Sequence, residues 1–436
     1  MARNIIFLVI YVILLGISSA ETLLYLLIVQ CGMAMIADLR QKRINITPIF
    51  IFNFSVIMAC IGNILLIEKI GKVDFKTYSY IVPKFIDPAA ELWCISCCII
   101  LIGYKFIGQR SFPPVDYVIK NKETIRIMFY VLVCANVMSI YGMGINYKGA
   151  AIFKIFGLLN TVGILFFSRL WGKENNKTFG LYAVTLFILQ TYIALTTSYL
   201  RTELILPTIY ITVGYFIGKQ DLRYVFSYRI IAPIAVIIMF SSAFSSLKNN
   251  RSNFIDVFKG EKTMSDEVSE EKSNALLDRS ANLAQLTSVM RLVKQNGFYK
   301  GRASAPLVAA LIPRFLWKDK PQIALGSWFA LEIGAAYKAD NGRINNSINM
   351  TIPGELYLDF GWIGVVIGSL LIGMFIAVLW NATKFYTSQY NLIGIIFGGY
   401  LLFVGFINFG ADLQIVLTIM STYLIFWAIK KLLLFI

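Results

Sequence analysis

The sequence predicts an all-α, polytopic integral membrane protein with about twelve transmembrane helices, and three observations predict it. Apolar runs of 15 to 24 residues recur along nearly the whole chain, separated by short polar segments. Each run is long enough to cross a hydrocarbon core of roughly 30 Å as a helix, given tilt and snorkelling ends. The composition is 58% hydrophobic and 15% charged, whereas soluble chains average about a quarter charged. The alternating pattern of a membrane barrel, roughly ten residues to a strand, is missing. Outside a barrel, backbone groups in lipid must bond within their own segment, which leaves a helical bundle.

In chain order the helices read as 4–20, 22–37, 48–67, 91–107, 125–141 and 150–168, then 178–196, 203–218, 230–246, 355–379, 391–408 and 413–429. The basic residues between them set the orientation. With the start of the chain in the cytoplasm, the cytoplasmic connections hold sixteen: Arg40, Lys42, Arg43, Lys105, Arg110, Lys120, Lys122, Arg169, Lys173, Lys177, Lys219, Arg223, Arg229, Lys384, Lys430 and Lys431. The short connections on the other side hold six, Lys69, Lys72, Lys76, Lys84, Lys148 and Arg201. Lys and Arg counted over short loops favour this assignment, with both ends cytoplasmic. Arg3, the first apolar run and Ser18-Ser19-Ala20 together mimic a cleavable signal peptide. A second apolar run begins at once at Thr22, so the two read as an uncleaved helical hairpin.

The chain divides into helices one to nine over 1–246, a large extracytoplasmic loop over 247–354, and helices ten to twelve over 355–436, in one integrated membrane domain. The loop carries fifteen Lys and Arg against ten Asp and Glu. Long loops in compact proteins are usually functional or disordered. Its front part, Lys248 to Ser273, is polar and mixed in charge, the composition of a mobile segment. From Asn274 to Gln295 the apolar residues Leu276, Leu283, Leu286, Met290 and Val293 recur at helical spacing and predict an amphipathic helix. Glu270 and Glu271 precede it, Lys294 closes it, and Asn296-Gly297 supplies a stop. Arg279 falls within the apolar face, where a guanidinium must snorkel or meet an anion. Arg291 falls away from the apolar stripe, so its loss is expected to be nearly silent. The following stretch, Ala305 to Trp317, is too short to span and reads as an interfacial or re-entrant element with Trp317 at headgroup depth.

Several function classes fall away. The net charge of +16 sits mostly in the connections, where orientation and anchoring explain it, and no nucleic-acid signature accompanies it. Cys94, Cys97 and Cys98 crowd one apolar run, where small soft side chains pack well. Lipid-depth thiols without His or carboxylate neighbours rarely bind metal, so no metal site is expected. The chain has no histidine, which excludes a His-based zinc site and any Ser-His-Asp or Cys-His pair. There is no internal repeat and no Gly-rich phosphate loop, and no cofactor is expected.

Three arginines on the extracytoplasmic side are candidates for chemistry. Arg201 follows Thr196-Thr197-Ser198-Tyr199-Leu200 in a tight turn, Arg279 lies on the loop helix, and Arg314 stands in Ile312-Pro313-Arg314-Phe315-Leu316-Trp317-Lys318-Asp319-Lys320-Pro321. A guanidinium suits phosphate because its planar fork binds two oxygens and keeps its charge. Each could equally anchor a helix end to lipid headgroups or pair with a carboxylate. The tenth helix opens on Pro353-Gly354-Glu355-Leu356-Tyr357-Leu358-Asp359-Phe360-Gly361, with Glu355 and Asp359 four apart on one face. Carboxylates entering a membrane helix are functional candidates, and they also stabilise a helix N-terminus without further function.

The segment 312–321, followed about thirty residues later by Gly354-Glu355-Leu356-Tyr357-Leu358-Asp359-Phe360-Gly361-Trp362-Ile363-Gly364, resembles the oligosaccharide repeat-unit polymerases of the Wzy type, the O-antigen polymerases. Helix count and the position of the large loop are similar to that family too. The resemblance implies a GT-C-like membrane glycosyltransferase of the bacterial inner membrane, multi-pass, with its active site facing the periplasm. Its substrates would be undecaprenyl-diphosphate-linked oligosaccharides in membrane lipid, and a chain-length regulator is the protein partner the family suggests. Under that resemblance Arg279, Arg314 and Arg201 would bind the diphosphate, Arg314 and Glu355 would be catalytic, and transfer would need no metal. Two positions depart from the pattern. Relatives often read Ser-Arg-Gly where Arg201 is followed by Thr202, and they often carry an amide at Asp359, which argues against Asp359 as base.

Two rival readings share the hydropathy. An O-antigen ligase of the resembling kind uses a loop histidine, which this chain lacks. A lipid-linked oligosaccharide flippase, the non-enzymatic alternative, places polar residues at mid-membrane depth.

Overall fold

A computed structural model describes residues 1–39, 47–69, 80–108, 122–143, 150–193, 201–219, 282–302, 325–338, 344 and 347–383. They form α1 (Ala2–Leu14), α2 (Ala20–Leu39), α3 (Pro48–Lys69), a 3-10 turn at Pro83–Phe85, α4 (Ile86–Ile107), α5 (Lys122–Met143), α6 (Ala150–Glu174), α7 (Lys177–Ile193), α8 (Arg201–Lys219), α9 (Leu283–Asn296), α10 (Leu325–Glu332) and α11 (Ile352–Thr383). Among the described residues there is no strand beyond an isolated bridge between Lys338 and Ile344. The expected helices 230–246, 391–408 and 413–429 lie outside the described residues.

The described chain is an all-helical, membrane-embedded bundle. Four stretches, Ala20–Leu39, Pro48–Glu68, Pro83–Ile107 and Ile352–Thr383, are long and apolar enough to cross a membrane. Large apolar side chains point outward along them, with Ile363, Ile367 and Leu371 exposed on one face of α11 and Tyr25, Val29, Met33 and Ile36 exposed on α2. The interior is mostly apolar and also holds amides and hydroxyls, among them Gln30, Asn53, Asn63, Ser96, Asn160 and Ser369. Lipid tails offer no hydrophobic drive between helices, so close packing and interhelical hydrogen bonds hold such bundles together. Tyr11 donates to Gln30 Oε1 at 3.0 Å, and Gln30 Nε2 approaches Cys98 Sγ at 3.3 Å, joining α1, α2 and α4. Asn160 Nδ2 donates to Gln190 Oε1 at 2.8 Å between α6 and α7.

The first helix is shorter than the apolar run suggests. It stops at Leu14, and residues 15–19 form a turn around Gly16, whose φ is +70°. The turn is fixed from outside. Gly16 N–H donates to Glu91 Oε1 at 2.6 Å, and Ala20 N–H, at the start of α2, donates to Asp87 Oδ1 at 2.7 Å. Ala20 is buried against α4, so α1 and α2 pack as one hairpin on the bundle.

Helix α4 is the central element. Trp93, Cys94, Ser96, Cys97 and Cys98 are fully buried on it, and Cys31 of α2 and Cys60 of α3 join them as free thiols in the same core. The crowded cysteines are packing residues. α4 and α11 run parallel and close. Ser96 and Ser369 share a hydrogen bond of 2.7 Å, and Asn381 Nδ2 donates to the Gly108 carbonyl at 2.7 Å, both across an offset of 273 residues. At the crossing a Cβ on Gly103 would run into the Leu370 carbonyl, and one on Gly373 into the Ile100 carbonyl. Only glycine at both positions lets the backbones meet this way.

The loop helix α9 behaves differently from a surface amphipath. Its C-terminal stop falls where the sequence places it, with Gly297 at φ +72° donating to the Val293 carbonyl at 2.9 Å. It is, however, buried nearly all round. Leu283, Leu286 and Met290 pack into the α1–α4–α11 core, while Ala284, Val289 and Leu292 pack with Leu66, Tyr80, Phe329 and Leu358. Its polar side chains are used as ties: Ser288 Oγ donates to the Tyr80 carbonyl at 2.6 Å, and Thr287 Oγ1 accepts from Val82 N–H at 3.2 Å. Asn63 Oδ1 of α3 accepts from Leu283 N–H at 3.1 Å and so caps the helix start.

Arg291, off the apolar stripe, is drawn into this packing. The residue is half-buried, and its Nη2 donates to the Ile333 carbonyl at 3.1 Å, just beyond α10. Helix α10 and Ile333 lie on the side of α9 that carries Arg291.

Candidate functional site

The site forms where α11 begins. Thr351 precedes the helix, with Ile352 and Pro353 in its first turn, a combination that starts helices because proline presets φ and lacks an N–H that would go unbonded. Thr351 Oγ1 accepts from Gly354 N–H at 3.2 Å and its carbonyl accepts from Glu355 N–H at 3.0 Å. The threonine holds φ at +72°, left-handed backbone that a β-branched residue rarely adopts. Such strain costs on the order of 1–3 kcal/mol and persists where the surroundings over-determine it. Here Thr351 is buried, and α9 crosses directly above, so close that a Cβ on Gly354 would sit 3.1 Å from Leu286.

Nine residues into α11 the helix breaks. Gly361 has φ +63° and ψ −151°, a conformation open essentially to glycine alone. The break deprives upstream carbonyls of their helical partners, and the segment after α9 supplies replacements. Tyr299 N–H donates to the Leu358 carbonyl at 3.0 Å and Lys300 N–H to the Asp359 carbonyl at 2.9 Å. That segment is itself a tight turn, closed by Arg302 N–H on the Tyr299 carbonyl at 3.1 Å, with Lys300 at φ +52° and Gly301 at φ +84°. Positive φ at both central positions makes it a type I′ turn. Phe298 packs edge-on to Tyr357 with ring centroids 5.9 Å apart, and Tyr357 packs edge-on to Trp362 at 6.2 Å.

Glu355 and Asp359 both lie on this short broken piece, and both are buried, at 0% and 1% exposure. Burial on this scale separates them from carboxylates that merely sit solvated at a helix start, since a charge withdrawn from water needs its surroundings to compensate. Two carboxylates one helical turn apart, held at the mouth of a membrane-crossing segment, can accept a proton or bind a polar ligand. Among the described residues no three His, Cys, Asp or Glu side chains group closely enough to hold a metal ion.

Of the other residues that the sequence singles out, Arg201 is the first residue of α8, and its side chain lies outside the described set. Arg279 and Arg314 lie outside the described residues, as do Lys248 to Ser273 and Ala305 to Trp317. The site residues that sequence reasoning missed are Thr351 and the Phe298–Arg302 turn. Thr before Ile-Pro is a legible helix-start signal, and Lys300-Gly301 a legible turn signal. Neither says that the turn docks on α11. Comparison of the chain with protein-family models, curated proteins and solved structures returns no match.

Proposed function

We propose that the chain is a Wzy-type O-antigen polymerase, a membrane glycosyltransferase that acts on polyprenyl-diphosphate-linked oligosaccharides at the periplasmic face of the bacterial inner membrane. The observation that carries the reading is Glu355, a fully buried carboxylate at the broken start of a membrane-crossing helix, inside the very segment that resembles the polymerases. In the proposed reaction a sugar hydroxyl of a fresh lipid-linked repeat unit attacks the anomeric carbon of the growing glycan. Glu355 takes the hydroxyl proton, the new glycosidic C–O bond forms, and the bond to the donor's diphosphate breaks. The lipid diphosphate leaves with the electron pair, stabilised by cationic donors, for which Arg279, Arg314 and Arg201 are the candidates.

A second reading has an observation in its favour. Buried amides such as Asn53, Asn160 and Gln190 lie within the helices, as a lipid-linked oligosaccharide flippase would require. One experiment separates the readings. A deletion strain complemented with the wild-type gene or with Glu355→Gln is scored for its surface glycan. A polymerase defect leaves lipid A-core carrying one repeat unit, a flippase defect strands repeat units inside, and a ligase defect leaves bare core. Single-unit core in the deletion and in the Glu355→Gln strain is the expected result, and full-length chains in the deletion would overturn the proposal.

A further inference from the structure

We infer that the Gly361 end of the bundle carries a binding site for acidic phospholipid headgroups, built by Lys84 and Lys294 around the ring of Phe85. The inference rests on the membrane-embedded fold and is independent of the proposed transferase activity. Phe85 closes the 3-10 turn that leads into α4. Lys84 Nζ lies 5.2 Å from its ring centroid, and Lys294 Nζ, from the last turn of α9, lies 5.9 Å from the same centroid. The two ammoniums come from segments about 200 residues apart in sequence and meet because Ser288 and Thr287 tie α9 alongside residues 80–82.

Neither lysine is ion-paired with a described residue, and both are exposed. The two acidic side chains nearest in sequence to Lys84, Asp87 and Glu91, already accept the Ala20 and Gly16 N–H groups of the α1–α2 turn. Neither carboxylate bonds either ammonium, so among the described residues both ammoniums remain open to an anion from outside the fold.

The depth of the cluster identifies that anion. The offset of 273 residues shared by the Ser96–Ser369 and Gly108–Asn381 contacts carries Ala89 to Trp362, the first residue after the break. Phe85 and Lys84, about one helical turn before Ala89, thus stand at the Gly361 end of the bundle. Around the break Phe360, Trp362 and Ile363 are 53%, 38% and 72% exposed. An aromatic rim followed by an outward apolar stripe marks the boundary between headgroups and hydrocarbon. Lys300, whose N–H is bonded to the Asp359 carbonyl, and Arg302 extend the exposed positive rim at the same level. A lysine at headgroup depth buries its stem against apolar surface and offers its ammonium to phosphate. Phe85 adds a ring face that holds both cations in place.

The test uses the full-length protein purified in mild detergent and titrated with mixed micelles containing phosphatidylglycerol or phosphatidylcholine, with bound lipids counted by native mass spectrometry. The wild type should retain phosphatidylglycerol in preference to phosphatidylcholine. Each lysine contributes up to about fivefold in affinity, so Lys84→Ala combined with Lys294→Ala should reduce retention about tenfold or more. The Lys84→Arg and Lys294→Arg pair should keep the preference, and Lys177→Ala, at the start of α7, should leave it unchanged. Should the double alanine variant fail to fold, Lys84→Gln with Lys294→Gln keeps the stems over Phe85 and gives the same reading. Undiminished phosphatidylglycerol adducts in the neutralised variants would overturn the inference. So would equal retention of the two lipids, or retention of undecaprenyl diphosphate alone, which would assign the surface to substrate instead.

Discussion

The ring of Phe298 fills the space beside Gly361 that any side chain there would need: a Cβ on Gly361 would stand 2.8 Å from the ring. The contact explains how a broken membrane helix is held in one shape. The turn that begins at Phe298 covers the break, hands two N–H groups to the carbonyls exposed by it, and so fixes the piece that carries Glu355 and Asp359.

Gly361→Ala should therefore destabilise the protein by about 2–5 kcal/mol, from the forbidden backbone region together with overpacking against Phe298. Thermal unfolding in detergent measures it. Adding Phe298→Ala should recover only part of the loss, because it relieves the collision and leaves the backbone strain. Full recovery would show that the φ of Gly361 carries no cost.

Arg291→Ala should cost about 1.5–3 kcal/mol, the range for a charged hydrogen bond removed from a half-buried site. The Ile333 carbonyl loses its donor, and α10 loses its tie to α9. Protease sensitivity between residues 325 and 338 should rise in parallel with the fall in melting temperature. A melting temperature equal to wild type would show that the guanidinium is replaceable by water.

Glu355→Gln keeps the size of the side chain and removes its charge, so it should leave membrane abundance unchanged while abolishing chain extension on a glycan gel. Asp359→Asn should retain most extension, in keeping with the amide often found there in the resembling family. Arg314→Ala should also abolish extension at normal abundance, and Arg314→Lys should rescue it poorly because an ammonium lacks the planar fork. Equal losses from Asp359→Asn and Glu355→Gln would take the base role away from Glu355 specifically.

The α1–α2 turn, the start of α4 and the Gly361 break share one end of the bundle. Alkaline phosphatase fused near residue 17 or near residue 265 should accordingly be active, and fused near residue 224 inactive. High activity at residue 224 would invert the orientation and move the candidate site to the cytoplasm.

Much of the helical layout was legible because lipid imposes a length and a composition on every crossing segment. Helices α2, α3 and α4 fall within a few residues of their apolar runs, and Gly297 stops α9 where Asn296-Gly297 signals a stop. The apolar run extends past the end of the first helix because Leu15 and Ile17 continue it. What ends it is a turn at Gly16 held by Glu91 and Asp87, which lie 75 and 67 residues away.

By itself the sequence determined that the chain is a helical membrane protein, which way its charges bias it, and that a paired carboxylate face opens the helix at 355. Those properties depend on composition and on spacing along one segment. Only the tertiary structure decided that α9 is buried rather than spread on a surface, that Arg291 holds a backbone carbonyl, and that the break at Gly361 is covered by Phe298. Each of these depends on which distant backbone comes within about 3 Å of another, and helical periodicity reports which residues share a face without saying what covers it.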